Sequence, residues 1–125
     1  MDEITAPMPP LPVTCLGPPP LVPLNRRLAD ATVMLVSSAG VHLRSEPPFA
    51  FVDDLTCRRL GQSLPPTRLR PCHPSPIRRP GRQDINVVYP YQRLAELAQA
   101  GVLAAPAPFH VSTLGAIKQV TRILM

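Results

Sequence analysis

The sequence predicts an α/β protein in which a partial Rossmann-like parallel sheet is flanked by helices. Two observations favour this class. The run Thr32–Val36 is almost continuously apolar and rich in β-branched residues, which is typical of a parallel strand covered on both faces. A helical repeat of apolar residues begins after Pro90. With 125 residues, the chain has room for one domain, which we expect to occupy residues 25–125.

The N-terminal segment is marked by proline. Residues 1–24 contain eight of the 19 prolines of the chain and no Lys or Arg. Proline lacks the backbone N–H that helices and inner strands require, so we predict a mobile or polyproline-like arm over residues 1–24.

The positive charge of the chain is concentrated in residues 58–82, which contain seven Arg and no acidic residue. This segment also contains six Pro, so we expect an irregular surface loop. Three interpretations are open: a solvated or partner-contacting loop, a site for an anionic ligand, and a nucleic-acid contact. The sequence argues against nucleic acid, because interleaved aromatic residues and a known nucleic-acid module are both absent.

The next elements follow from periodicity. Ile85–Tyr89 predicts a second strand or an extended segment, and Pro90 fits the first turn of a helix. Gly101 is a natural end for that helix. The apolar face of the predicted helix consists of Tyr91, Leu94, Leu97 and Ala98.

A last helix is predicted beyond residue 112. Ser112 or Thr113 would cap it, and apolar residues recur every three to four positions from Leu114 to Leu124. Without the arm and the basic loop, the core is near the lower size limit for an independent fold. We therefore expect an obligate oligomer or a subunit of a heteromeric complex.

Composition also bears on location and cofactors. No apolar stretch approaches the length of a membrane span, and the acidic start of the chain does not resemble a secretory signal. We expect a cytoplasmic protein without membrane contact.

The three cysteines, Cys15, Cys57 and Cys72, show no CxxC spacing and predict reduced thiols. Cys57, Cys72 and His73 fall short of a four-ligand zinc set, so no metal or cofactor is expected.

Candidate binding residues follow the first predicted strand. The stretch 37–42 includes Gly40 and His42, and ligands of open α/β sheets bind beyond the carboxyl ends of strands. The alternative is an ordinary turn. His73 is a candidate proton donor or a solvated side chain. Asp84 and Asn86 either contribute to a site or satisfy local backbone groups.

The pattern over residues 109–115 is the most suggestive in chemical terms. It places His110 and Ser112 at the N-terminus of the last predicted helix, where free N–H groups and the helix dipole favour an anion such as a carboxylate. The alternative is that Ser112 only caps the helix and that His110 packs in the core. The pattern does not separate these interpretations.

In order and approximate spacing, residues 28–125 resemble the N-terminal half of the glycine/sarcosine/betaine reductase selenoprotein B family, which has D-proline reductase-like members. The resemblance begins with the segment 31–49. Five further pieces resemble family motifs: HP at His73-Pro74, D-x-N-x-[VI]-[FY]-P at 84–90, RL-x-EL at 93–97, Gly101, and H-x-S-x-x-G at 110–115.

The resemblance implies reductive cleavage of a C–N bond next to a carboxylate by a selenocysteine or cysteine. In the family this nucleophile follows the matched region, so we expect a partner chain to supply it. The chain would then be a subunit of a heteromeric reductase acting on a small amino acid or related carboxylate. The implied catalytic residue is His110, and the implied substrate-binding residues are Ser112, Gly40, His42, His73, Asp84 and Asn86. The alternative is a noncatalytic binding or regulatory subunit that docks an acidic partner through the Arg-rich loop.

Overall fold

A computed structural model describes residues 17–76 and 78–117 of the chain. Three short 3-10 helices occur at Leu28–Asp30, Pro66–Arg68 and Ile85–Val87. The remaining elements, in chain order, are β1 (Thr32–Val33), β2 (Val36–Ser37), β3 (Val41–Leu43), β4 (Cys57–Gly61), β5 (Leu69–Pro71), α1 (Arg78–Gln83), α2 (Tyr91–Gln99), β6 (Ala105–Pro106) and β7 (Phe109–Thr113).

Helices and short sheets are mixed along the chain, which confirms a broadly α/β class. The predicted first strand is present as β1 and β2, which pair in parallel with β6 and β7. However, β4 pairs antiparallel with β7, and β3 pairs antiparallel with β5. A Rossmann-like parallel sheet is therefore not confirmed. The two antiparallel strands were not predicted, because most of β4 and all of β5 lie in the proline-rich segment 58–82, whose composition indicated a loop.

The first strand is covered on one face only, so the prediction of burial on both faces is wrong. Met34 is 44% exposed and Val36 is 65% exposed, whereas Ser37 is buried. In this segment alternate side chains point to opposite sides. Apolar side chains on the outer side therefore remain uncovered in the described part of the chain.

The segment 58–82 is more regular than expected, so the prediction of an irregular loop is wrong. It contains most of β4, all of β5 and most of α1. Its prolines avoid interior ladder positions: Pro71 is the last residue of β5, and Pro80 lies in the first turn of α1. Proline is tolerated at both kinds of position.

The prediction of a strand or an extended segment over 85–89 is also wrong, because Ile85–Val87 forms a 3-10 helix. The Asp84 side chain accepts a hydrogen bond from the backbone N–H of Asn86, and this local bond turns the chain. By contrast, the helix after Pro90 is confirmed as α2, and Gly101 follows it with φ +74°. Within its predicted apolar face Leu97 is 41% exposed, whereas Tyr91 is buried.

The predicted helix start at 112–113 is wrong, because Phe109–Thr113 is strand β7. Its aromatic and β-branched residues favour a strand, and His110 and Ser112 point to the buried side. Residues 114–117 are not helical either, and the rest of the predicted helix lies outside the described residues.

Strands β2, β7 and β4 form, in that order, a three-stranded sheet that we call the central sheet. The core lies between the inner side of the central sheet and the segment 85–91. Its cluster of buried apolar residues consists of Val41, Leu60, Leu69, Ile85, Tyr89 and Tyr91. Of the predicted arm, residues 17–24 are exposed, and residues 1–16 lie outside the described part. Among the described helices, none is both long and apolar enough to cross a membrane.

Candidate functional site

A cavity of about 290 Å³ lies where the parallel strands β2 and β7 end. It is the place that the sequence indicated for a ligand, because binding sites of α/β sheets collect at carboxyl ends of strands. The cavity is lined by Ser37, Ser38, Ala39, His73, Ser75 and Val88. We call it the strand-end cavity.

Three chain segments are tied together around the strand-end cavity by backbone hydrogen bonds. The Gly115 N–H donates to the Ser38 carbonyl at 2.8 Å, and the His73 N–H donates to the Ala39 carbonyl at 3.2 Å. A Cβ atom at Gly115 would lie 3.1 Å from the Ser38 Cβ and 3.2 Å from His73 Nε2. Glycine at 115 therefore allows the serine and the imidazole to approach each other.

The orientation of the His73 ring fixes which nitrogen carries the proton in the neutral form. Nδ1 accepts the backbone N–H of Ser75 at 3.1 Å, so the proton of a neutral ring must be on Nε2. His73 Nε2 and the exposed Ser38 hydroxyl are thus two hydrogen-bond donors beside this cavity.

Gly40 does not line the strand-end cavity, although its conformation requires glycine. Its φ is +64°, and a Cβ there would lie 3.0 Å from both Cys72 Sγ and Leu114 Cδ1. The space that the sequence assigned to a ligand at Gly40 is therefore filled by protein side chains.

His110 and Ser112 lie on the inner face of β7, and both are fully buried. His110 Nδ1 accepts the Leu35 N–H at 3.2 Å, while His110 Nε2, Ser112 Oγ and the Tyr89 hydroxyl are buried without a hydrogen-bond partner in the described chain. Burial lowers the pKa of His110, because the charged imidazolium loses its hydration. A neutral imidazole is therefore favoured at this position.

Asp84 lines a different cavity, and Asn86 is hydrogen-bonded to Asp84 without lining that cavity. The Asp84 carboxylate accepts bonds from the Asn86 backbone and side-chain amides, and the backbone bond lowers the pKa of Asp84. Asp84 lines a cavity of about 310 Å³ together with Arg44, Arg82 and Gln92. The structure therefore does not bring Asp84 and His73 to one cavity.

His42 lies in a third place, a cavity of about 400 Å³ that we call the arginine cavity. It is lined by His42, Arg44, Glu46, Arg70, Cys72 and Arg82. Cys72 and His73 are consecutive, so the arginine cavity and the strand-end cavity lie on either side of one short segment.

The described cysteines differ in environment. Cys57 is exposed on β4, whereas Cys72 is partly buried and its pKa is raised by burial. A raised pKa disfavours the thiolate that a nucleophilic cysteine needs. Within residues 17–76 and 78–117, no group of three or more His, Cys, Asp or Glu side chains is placed to hold a metal ion.

Several residues that line the strand-end cavity and the arginine cavity were not predicted individually from the sequence. Ser38 lay inside the pattern at 37–42, and Val88 lay inside the family-like piece at 84–90, but neither was singled out, nor was Ser75. Arg70 and Cys72, like His42 and Arg44, are two positions apart, and this alternation in a strand would have placed each pair on one side. The proline-rich composition of the segment concealed that alternation.

The chain is similar to a curated reductase subunit. This relative is D-proline reductase subunit gamma of Acetoanaerobium sticklandii, with 29% identity over 101 residues. The match covers 80% of this chain and 42% of the relative, so the chain spans less than half of the relative's length. No family model matches the chain, and no solved structure does. The chain is thus distantly related to a subunit of a multi-subunit reductase.

Proposed function

We propose that this protein is a cytoplasmic subunit of a heteromeric, selenoprotein B-like reductase that acts on a small amino acid or related carboxylate. The observation that carries the proposal is the similarity to D-proline reductase subunit gamma over four fifths of the chain. In this proposal residues 25–125 belong to a Rossmann-like half-domain, and a partner chain completes its sheet.

The uncovered side of the central sheet supports a partner. Met34 and Val36 are exposed, and Val111 lies beside Val36 on the same side of the sheet. On that side the Arg59 guanidinium lies 3.7 Å from the centre of the Phe109 ring. An apolar strip with a stacked arginine is a common composition for a protein interface. We expect the partner to cover this strip.

The partner would also supply the reactive sulfur or selenium. Cys72 is the neighbour in sequence of His73, which lines the strand-end cavity. However, the pKa of Cys72 is raised, and its side chain lines the arginine cavity instead. Reductive cleavage of a Cα–N bond consumes two electrons and two protons, and it leaves a methylene group and a free amine. An external dithiol would provide the electrons, and a proton donor must stand beside the leaving nitrogen.

We propose that the strand-end cavity binds the substrate. His73 Nε2 and the Ser38 hydroxyl are placed to donate hydrogen bonds to it, and Ser37 is held by its own bond to the Val88 carbonyl at 2.8 Å. His110 remains the proton donor implied by the resemblance, with Ser112 beside it. Since both are fully buried, they would reach substrate only in an assembled complex whose contacts differ.

The test is isolation of the native complex through a tagged full-length chain, with mass spectrometry of the co-purified proteins. We expect a partner with an active-site cysteine or selenocysteine, and dithiol-dependent reduction of D-proline or another small amino acid. Two results together would contradict the proposal. The chain would be isolated without a partner, and extracts that contain every native protein would not reduce these amino acids.

Variants sharpen both parts of the test. Val36→Lys should abolish co-purification, whereas Val87→Lys should not, because Val87 is 53% exposed on the 3-10 helix away from the apolar strip. His73→Gln should lower turnover at least tenfold with assembly intact, and Gln99→Ala at the exposed end of α2 is the control. His110→Ala should also lower turnover without loss of assembly, and unchanged turnover would remove His110 from the mechanism.

A further inference from the structure

We infer that the arginine cavity is a binding site for a small, doubly charged oxyanion, either a phosphate group or a dicarboxylate. This inference does not depend on the reductase relationship. It starts from the pairing of β3 with β5, in which His42 lies opposite Arg70. Arg44 and Cys72 each follow the end of one of these strands, and both line the same cavity.

Two further lining residues are Arg82 of α1, which is exposed, and Glu46, which follows β3. Its volume of about 400 Å³ is within the range of small-molecule sites. His42, only 5% exposed, forms a buried wall, and its Nδ1 donates to the Leu43 carbonyl at 2.7 Å. A neutral His42 ring therefore has its proton on Nδ1.

The charges in the cavity are unbalanced. Three arginines line it against one carboxylate, and none of these arginines forms an ion pair within the described ranges. Because burial raises the pKa of the Cys72 thiol, the thiol adds no negative charge at neutral pH. Like charges around one cavity repel each other, and an oxyanion would relieve that repulsion.

The side chains that line the arginine cavity also indicate the charge and shape of its ligand. Guanidinium groups are planar forks whose N–H pairs match the oxygens of carboxylates and phosphates. Several arginines against one glutamate favour a dianion over a monoanion. The Glu46 carboxylate has a buried oxygen, Oε2, without a hydrogen-bond partner in the described chain, and its charge opposes the anion. Glu46 is thus expected to weaken binding and to restrict the site to strongly charged ligands.

The experiment is isothermal titration calorimetry of the full chain at low ionic strength, with inorganic phosphate and succinate as separate probes. Saturable binding of either probe with one site supports the inference, and the tighter probe identifies the oxyanion. Arg82→Gln and Arg70→Gln should each raise the Kd about tenfold, the loss expected for a charge-assisted hydrogen bond. Glu46→Gln should lower the Kd.

The matched control is Arg79→Gln, which removes the same charge from the same helix as Arg82. Arg79 is exposed and does not line the cavity, so its Kd should change less than twofold. Arg70 is exposed too, and its replacement removes no core packing. Absence of saturable binding with both probes would overturn the inference. An effect of Arg79→Gln as large as that of Arg82→Gln would also overturn it.

Discussion

The imidazole of His110 bonds to the backbone of Leu35, with Nδ1 accepting the Leu35 N–H at 3.2 Å. Leu35 lies in the gap between β1 and β2, where the strand ladder is interrupted. A side chain thus supplies the acceptor for a backbone N–H that would otherwise belong to the ladder. Since Nδ1 must keep its lone pair for this bond, the neutral ring carries its proton on Nε2.

The first prediction concerns pH. Burial lowers the pKa of His110 in the folded state, so the unfolded chain binds more protons as the pH falls through the ordinary histidine range. The free energy of unfolding should therefore decrease from about pH 7.5 to about pH 5.5.

Urea unfolding at several pH values measures this effect. His110→Asn should reduce the slope, because asparagine does not titrate and its side-chain oxygen can accept the Leu35 N–H. If the free energy of unfolding of the variant depended on pH as steeply as that of the parent chain, other groups would be the cause of the dependence.

The second prediction concerns Gly40. Alanine there would meet Cys72 Sγ and Leu114 Cδ1 at 3.0 Å and would be strained at φ +64°. We expect Gly40→Ala to lower the free energy of unfolding by about 1 to 3 kcal/mol.

Gly61→Ala is the control for this substitution, because the nearest atom to its new Cβ would be Leu64 Cγ at 4.0 Å. Denaturant unfolding should show a clear difference between the two variants. Equal stabilities would mean that the contacts around Gly40 adjust without cost.

The third prediction separates two neighbouring tyrosines, whose ring centres lie 5.3 Å apart. The Tyr91 hydroxyl donates to the Leu64 carbonyl, whereas the Tyr89 hydroxyl is buried without a partner in the described residues. Tyr91→Phe should cost about 1 kcal/mol of stability, and Tyr89→Phe should be neutral or stabilising. Thermal unfolding of both variants measures this, and a larger loss for Tyr89→Phe would reveal an acceptor or water bound to its hydroxyl.

The fourth prediction concerns thiol reactivity. Burial raises the pKa of Cys72, and Cys57 is exposed. At pH 8 iodoacetamide should alkylate Cys57 several times faster than Cys72, because the thiolate is the reacting form. Peptide mass spectrometry follows both sites, and unfolding in urea should abolish the difference. Faster alkylation of Cys72 in the folded chain would contradict its burial.

The sequence determined the features that depend on local chemistry. Pro90 and Gly101 delimit α2 because one supplies a fixed φ at the start and the other a positive φ after the end. Likewise, Thr32–Val36 indicated strand structure, and the small residues after it marked the cavity at the strand end. Local patterns also exposed the resemblance to a reductase family, which agrees with the distant relative.

Tertiary structure decided the features that depend on pairing between distant segments. The 109–113 segment has a cap-like Ser112 and yet forms β7, because β2 and β4 offer it hydrogen bonds on both sides. His110, His73 and His42 were assigned to one site, but the structure places them in the core, at the strand-end cavity and at the arginine cavity. Register fixes which side of a sheet each side chain occupies, and no window of sequence contains the partner strand that sets it.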